Sequence, residues 1–264
     1  MKPFIVANWK CNPVTLREAK RIFYSIKKGI RRVKNIEIVI CPPFVYLPIL
    51  GASTFAHRKA SYGGPAVTFG VGGQDCFWEE KGAFTGEISP LMLKNLGCKY
   101  VIVGHSERRG YFEETNEMVN RKLKTALKEN LRPILCVGNK NRKREKEFKG
   151  IRIQMEKALS GIKKSDLKNL IITYEPVWAI STTKGREIAT PIEAKQGAIF
   201  IRKILAKLFD KNFTRRIRII YGGSVDSSNI RGFIKETEID GVLVGAASLN
   251  SQEFVKVVKV ASSP

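Results

Sequence analysis

Eight short apolar, β-branched runs recur along the chain, and their spacing limits the available folds more than any single motif does. They are PFIVAN (3–8), IEIVIC (36–41), VTFGVG (67–72), YVIVG (100–104), RPILCVG (132–138), LIITYE (170–175), IRIIYGG (217–223) and GVLVG (241–245). Most begin roughly thirty residues after the one before, the length of one strand–helix–strand unit. The stretches between them carry helix signals. Thr190-Pro191-Ile192-Glu193 has the spacing of a capping box, with proline at the first helical position, and Ser89-Pro90 opens a helix in the same way. Residues 115–130 set Met118, Val119, Leu123, Ala126 and Leu127 on one side of a helix. Strands that alternate with helices predict a parallel sheet. Eight such units in 264 residues predict an α/β protein, a (β/α)8 barrel filling the chain as one domain, 1–264. An open doubly wound sheet is the alternative, but it often carries a glycine-rich turn after its first strand. Here that position reads Trp9-Lys10-Cys11-Asn12. Gly51 to Pro65 reads as a loop elaboration ahead of the third strand.

No run approaches the roughly 20 apolar residues of a membrane span, and the opening MKPFIVANWK is too short in apolar residues for a signal peptide. A cytoplasmic protein is expected. The five cysteines form no CxxC pair and are odd in number, which argues against a disulfide framework and a zinc site. The net charge is +23, from 47 Lys+Arg against 24 Asp+Glu. Part of it lies in KNRKREKEFK (140–149), and part on what read as outer helix faces, such as IKKGIRRVK (26–34). No aromatic residues interleave with these cations, so a nucleic-acid stacking platform is not supported. A solvated basic surface is the expected reading, and the same charge would speed the approach of an anionic substrate. His57 reads as a surface or loop residue.

In a barrel of this kind functional groups lie at the C-terminal ends of the strands. Strand one ends in Asn8, with Lys10 just beyond. Strand four runs into Gly104-His105-Ser106-Glu107, strand six ends in Glu175, strand seven in Gly222-Gly223-Ser224 and strand eight in Gly245-Ala246. A carboxylate can take a proton from carbon, and a neutral imidazole can polarise a carbonyl. A lysine stabilises an anion, and glycine-rich turns offer N–H groups to phosphate. The set points to proton abstraction beside the carbonyl of a small phosphorylated compound.

The chain resembles the triosephosphate isomerase family. The stretches that carry the resemblance are ANWKCN (7–12), WEEKGAFTGEIS (78–89), VIVGHSERR (101–109), ILCVG (134–138), YEPVWA (174–179), YGGSV (221–225) and GVLVGAASL (241–249). They run in the family's order over almost the whole chain. The resemblance implies a TIM barrel that interconverts dihydroxyacetone phosphate and glyceraldehyde 3-phosphate, with no metal and no organic cofactor. It implies Glu175 as the base, His105 as a neutral electrophile, Lys10 as the cation beside the enediolate and phosphate, and Glu107 as a supporting carboxylate. Asn8 would help to place substrate. Ser181, Ser224, Gly245 and Ala246 would offer N–H groups to phosphate. A lid of Pro176, Val177, Trp178, Ala179, Ile180, Ser181, Thr182 and Thr183 would shut over the substrate. Gln74 and the 78–86 loop would dock on a second subunit, with Thr85 reaching towards its active site, so a homodimer is implied.

The sequence departs from the family pattern at defined places. Ser181-Thr182-Thr183 stands where the lid has Gly-Thr-Gly, and about three extra residues follow within Lys184 to Ile188. Asn139 replaces the glutamate after CVG, Ala246 replaces the second glycine of the strand-eight turn, and Cys11 follows Lys10. Two other readings stay open at this point: a barrel acting on a different small phosphosugar, and one that binds nucleic acid or another polyanion. The intact set Asn8, Lys10, His105 and Glu175 favours the isomerase.

Overall fold

In the computed structural model eight parallel strands close into a barrel in sequence order, β1-β2-β3-β4-β5-β6-β7-β8, with β8 paired back to β1. The structure describes residues 1–55, 68–180, 183, 185, 187–236 and 238–263. The strands are β1 (Phe4–Asn8), β2 (Glu37–Cys41), β3 (Thr68–Gly73), β4 (Tyr100–Val103), β5 (Arg132–Val137), β6 (Ile171–Tyr174), β7 (Arg218–Tyr221) and β8 (Gly241–Val244). The helices are α1 (Leu16–Gly29), α2 (Leu47–Phe55), α3 (Pro90–Asn95), α4 (Ser106–Tyr111) and α5 (Asn116–Lys128), then α6 (Arg144–Ala158), α7 (Pro191–Leu208), α8 (Lys211–Thr214), α9 (Ile230–Lys235) and α10 (Ser251–Ser262). The expected start signals are used. Ser89 and Thr190 cap α3 and α7, and Thr190 with Glu193 completes the capping box; Thr115, not singled out in the sequence, caps α5. Gly51, expected in a loop, lies inside α2. A Cβ there would sit 2.4 Å from the Leu96 carbonyl oxygen, so this glycine serves a close approach and not a turn. Residues 56–65 of that expected loop, and His57 with them, lie outside the described residues.

Every strand alternates between two apolar environments. Ile5, Ile38, Val101, Leu135, Ile172 and Ile219 point outward beneath the helices. Phe4, Val6, Val39, Cys41, Tyr100, Ile102, Ile134, Cys136, Ile171, Ile220 and Leu243 fill the barrel itself. The inward parity also sets what lies at each end. At the N-terminal end it turns Glu37 inward between three strands. Glu37 accepts from the Tyr100 hydroxyl, from Arg132 at 2.7 Å and from Arg218. One carboxylate thereby ties β2 to β4, β5 and β7. Burial pushes its pKa up, but the Tyr100 hydrogen bond and the two guanidinium charges outweigh burial and hold it below the ordinary 4.5.

Removing this carboxylate would leave two half-buried cations facing each other. Glu37→Gln should therefore destabilise the protein by roughly 3 kcal/mol in urea unfolding at neutral pH. Because the folded pKa is lowered, the contribution is fully present above the ordinary carboxylate value and is lost as the pH falls through the folded one. The gap between wild type and Glu37→Gln should therefore close in acid.

Candidate active site

At the C-terminal end the same parity carries Asn8 and Glu175 into the barrel mouth, as the continuations of inward-facing Phe4 and Val6 in β1 and of Ile171 in β6. Both are buried. The Glu175 N–H extends the β5–β6 ladder by donating to the Val137 carbonyl at 2.8 Å. Its backbone also packs against Gly138, where a Cβ would stand 1.6 Å from the Glu175 carbonyl oxygen. The base is thus fixed by backbone as well as by side-chain contacts.

Lys10 holds a left-handed backbone with φ of +56°, a conformation that side chains other than glycine rarely adopt. Asn8 Oδ1 accepts from its N–H at 3.0 Å, and Gln74 Nε2 donates to its carbonyl at 2.9 Å and to the Cys41 carbonyl at 2.8 Å. Polar side chains therefore grip the strained peptide from both sides. The turn aims Lys10 Nζ at Glu107 Oε1, 2.5 Å away. The Gln74 amide thus supports Lys10.

His105 caps α4. Its Nδ1 accepts from the Glu107 N–H at 3.2 Å, and its Nε2 lies 2.9 Å from Glu175 Oε1. Ser106 completes the cradle, donating its N–H to Glu175 Oε2 and its hydroxyl to Oε1, each at 3.0 Å. Burial alone would push Glu175 up. The charge and hydrogen bond of His105, joined by the two Ser106 donors, prevail and hold the carboxyl below its ordinary range. For His105 burial pushes the pKa down, while the charges of Glu175 and Glu107 push it up and prevail. The Glu175 hydrogen bond pulls the same way. Of the hydrogen bonds to the ring, only that from the Glu107 N–H opposes a second proton, because it already points at Nδ1. Nε2, beside Glu175 Oε1, carries a proton in either state of the ring.

The phosphate candidates lie across the mouth. A Cβ on Gly245 would be 3.5 Å from Lys10 Cε, so this turn borders the cation. Ala246 opens a short 3-10 turn (Ala246–Leu249) and is not among the described residues with positive φ, so its methyl group is unstrained. Ser224 directs its N–H and its hydroxyl to the Ala179 carbonyl, at 3.3 and 3.0 Å. Val177–Ala179 form a 3-10 turn, and Thr183 folds back to donate its hydroxyl to the Val177 carbonyl at 2.6 Å. Ser181 and Thr182 lie outside the described residues. Thr85 is exposed on the loop where Phe77, Trp78 and Phe84 pack together.

Three residues to which the sequence analysis assigns no role border the site: Ser106 and Gly138, which lie inside the matching stretches 101–109 and 134–138, and Glu147, which lies outside them. Glu147 lies in the run expected to be a solvated basic surface, yet it is buried. It accepts from the Tyr174 hydroxyl at 2.7 Å and from Trp178 Nε1 at 3.2 Å. Burial raises its pKa against those two bonds. The available signal is helical periodicity, because Glu147, Ile151, Met155 and Ala158 share the buried face of α6.

Comparison with known proteins decides the family. The triosephosphate isomerase family model matches residues 3–261. The chain belongs to the triosephosphate isomerase family. It is 43% identical over 260 residues to the triosephosphate isomerase of Dictyoglomus turgidum, covering 98% of this chain and 99% of that protein. It is 44% identical over 259 residues to that of Caldanaerobacter subterraneus subsp. tengcongensis, covering 97% and 98%. The imidazole and carboxylate at the mouth therefore sit in a family that is itself a standard example of pKa tuning.

Gly138 offers a direct test of the backbone constraint on Glu175. Gly138→Ala should displace the carboxylate by a fraction of an ångström to an ångström and lower kcat by about 100-fold. Circular dichroism should show the barrel retained.

Proposed function

We propose that the protein interconverts dihydroxyacetone phosphate and D-glyceraldehyde 3-phosphate through an enediolate, as a single-domain aldose–ketose isomerase in the cytoplasm. The observation that carries the reading is the approach of His105 Nε2 to Glu175 Oε1, 2.9 Å apart, with Lys10 Nζ adjoining through Glu107. The chain's similarity to triosephosphate isomerases over nearly its whole length supports the substrate.

The arrangement suggests how the reaction starts. Glu175 is withdrawn on Ser106 and uses the one Nε2–H that a substrate oxygen would need. A bound carbonyl oxygen that takes this proton as its hydrogen-bond partner removes a main tie on the carboxylate. Glu175 then takes a proton from the carbon beside the carbonyl. Negative charge builds on oxygen, where the Nε2–H and the Lys10 ammonium stabilise it. The carboxylic acid returns the proton to the neighbouring carbon, and the ketose becomes the aldose. With Nδ1 accepting a backbone N–H, His105 works as a neutral donor, whose weaker acidity suits exchange of a proton between two similar oxygens.

Phosphate would lie between Ser224, Gly245, Ala246 and Lys10, with Ser181 reaching it from the lid. Closure of residues 176–183 would exclude water from the enediolate. Asn8 would orient substrate and also fix the Lys10 turn. The loop on which Phe84 and Thr85 are exposed supports a homodimer. Thr85→Arg should halve the sedimenting mass relative to wild type if that loop seats in a partner.

An assay with both trioses tests the function. Wild type should interconvert them, and Glu175→Gln should not. Glu175→Asp withdraws the base by about 1 Å and should lower kcat on the order of 100-fold. His105→Gln should cost on the order of 100- to 1000-fold. Near wild-type rates in all three variants would remove the assignment.

A further inference from the structure

Four charged side chains outside the barrel mouth meet in one cluster. Asp75 follows β3, Arg108 lies in α4, Glu114 in the turn after it and Lys122 in α5. Lys122 Nζ donates to both Asp75 oxygens, at 2.9 and 2.7 Å, and to Glu114 Oε1. Arg108 Nε stands 2.7 Å from Asp75 Oδ2 and 3.7 Å from Glu114 Oε2, and the guanidinium lies 5.0 Å from the centre of the Phe112 ring. The Nε–H is not aligned on either oxygen, so charge is what holds Arg108 there. Asp75, Glu114 and Lys122 are buried. Two carboxylates against two cations leave the cluster neutral, the condition under which such charges stay out of water. None of the four has a part in the chemistry proposed for the mouth.

Two of the four are next in sequence to the residues that grip Lys10. Gln74, which donates to the Lys10 carbonyl, precedes Asp75, and Glu107, which accepts from the Lys10 ammonium, precedes Arg108. The Asp75–Arg108 pair therefore spans the gap between the grip on the Lys10 backbone and the grip on its Nζ. We propose that Asp75 is a positioning residue for Lys10, which through its pairing with Arg108 sets the Gln74 amide and the Glu107 carboxylate at the separation that holds the left-handed Lys10 and its ammonium in place. The inference rests on the isomerase reading for the part Lys10 plays towards an anionic substrate. Asp75 suits the task because Lys122 fixes both of its oxygens, and a buried, satisfied carboxylate has little freedom to drift. Without that charge Arg108 loses its hold on residue 75, and the two grips on Lys10 are no longer tied to each other.

The test is binding of 2-phosphoglycolate, a phosphate-bearing carboxylate that mimics the enediolate, measured by titration calorimetry without turnover. Asp75→Asn keeps the shape and removes the charge, and should weaken binding about three- to ten-fold with the circular dichroism of the barrel retained. Plain attraction has the opposite sign, because this variant makes the protein more positive and would tighten its hold on an anion. In a Gln74→Ala background the same substitution should change Kd by less than about two-fold, since the grip it aims is gone. Glu114→Gln disturbs the cluster but leaves the Asp75–Arg108 pair, and should lower the unfolding temperature while Kd stays within about two-fold of wild type. If Asp75→Asn does not fold, the double variant Asp75→Asn/Arg108→Gln leaves Lys122 paired with Glu114 and the net charge unchanged, and should show the same loss of affinity. Unchanged or tighter binding in the folded variant, an undiminished loss in the Gln74→Ala background, or an equal loss in Glu114→Gln would overturn the positioning role. A wild type that does not bind the ligand would remove the isomerase reading, and this inference with it.

Discussion

The two-residue alternation of a closed parallel barrel is the constraint on which the rest of the molecule depends. Once eight strands are paired edge to edge, each inward position belongs to a ring shared by several strands. The middle rings are apolar except at Thr173 of β6, which is fully buried between Ile171 and Glu175. The end rings meet solvent and can be polar. Glu37 with Arg132 and Arg218 occupies one end, and Asn8 with Glu175 the other. The parity that makes the core also sorts structural charge from chemical charge without any further device.

At the reactive end, groups serve in pairs. Asn8 and Gln74 hold the left-handed Lys10 from its two sides. Glu107 accepts from the Lys10 ammonium with its carboxylate and donates its N–H to His105, fixing the tautomer. Ser106 offers two donors to the withdrawn Glu175. A buried carboxylate so well satisfied is a poor base while those bonds last. The lid root is wired into the same frame. Glu147 joins the Tyr174 hydroxyl of β6 to the Trp178 indole, and Ser224 after β7 donates to Ala179.

Much of this is legible in the amino-acid sequence. The eight apolar runs correspond to the eight strands, because buried parallel strands need unbroken apolar sequence. The caps at Ser89 and Thr190 are visible because a cap is a local bond between residues three apart. Lys10, His105, Glu107 and Glu175 meet as the motifs imply. Gly51 misleads because a glycine at a close helix contact has the same letter as a glycine in a turn. Glu147 and Arg142 are hidden in a run of cations whose net charge suggests solvent, and only the turn of α6 and the return of the lid give them partners.

Architecture and family follow from the order of residues alone, since these rest on periodicity and on residue types at fixed offsets. Folding in three dimensions was needed to set Glu175 against Ser106, to bring the Glu107 N–H to His105 Nδ1, to turn the Gln74 amide to Lys10 and to pair Arg142 with Glu187. The reason is separation along the chain. Glu175 and Ser106 are 69 residues apart, Gln74 and Lys10 64, and Arg142 and Glu187 45. Contacts of that span are set by how the barrel closes, and no local pattern of residues encodes them.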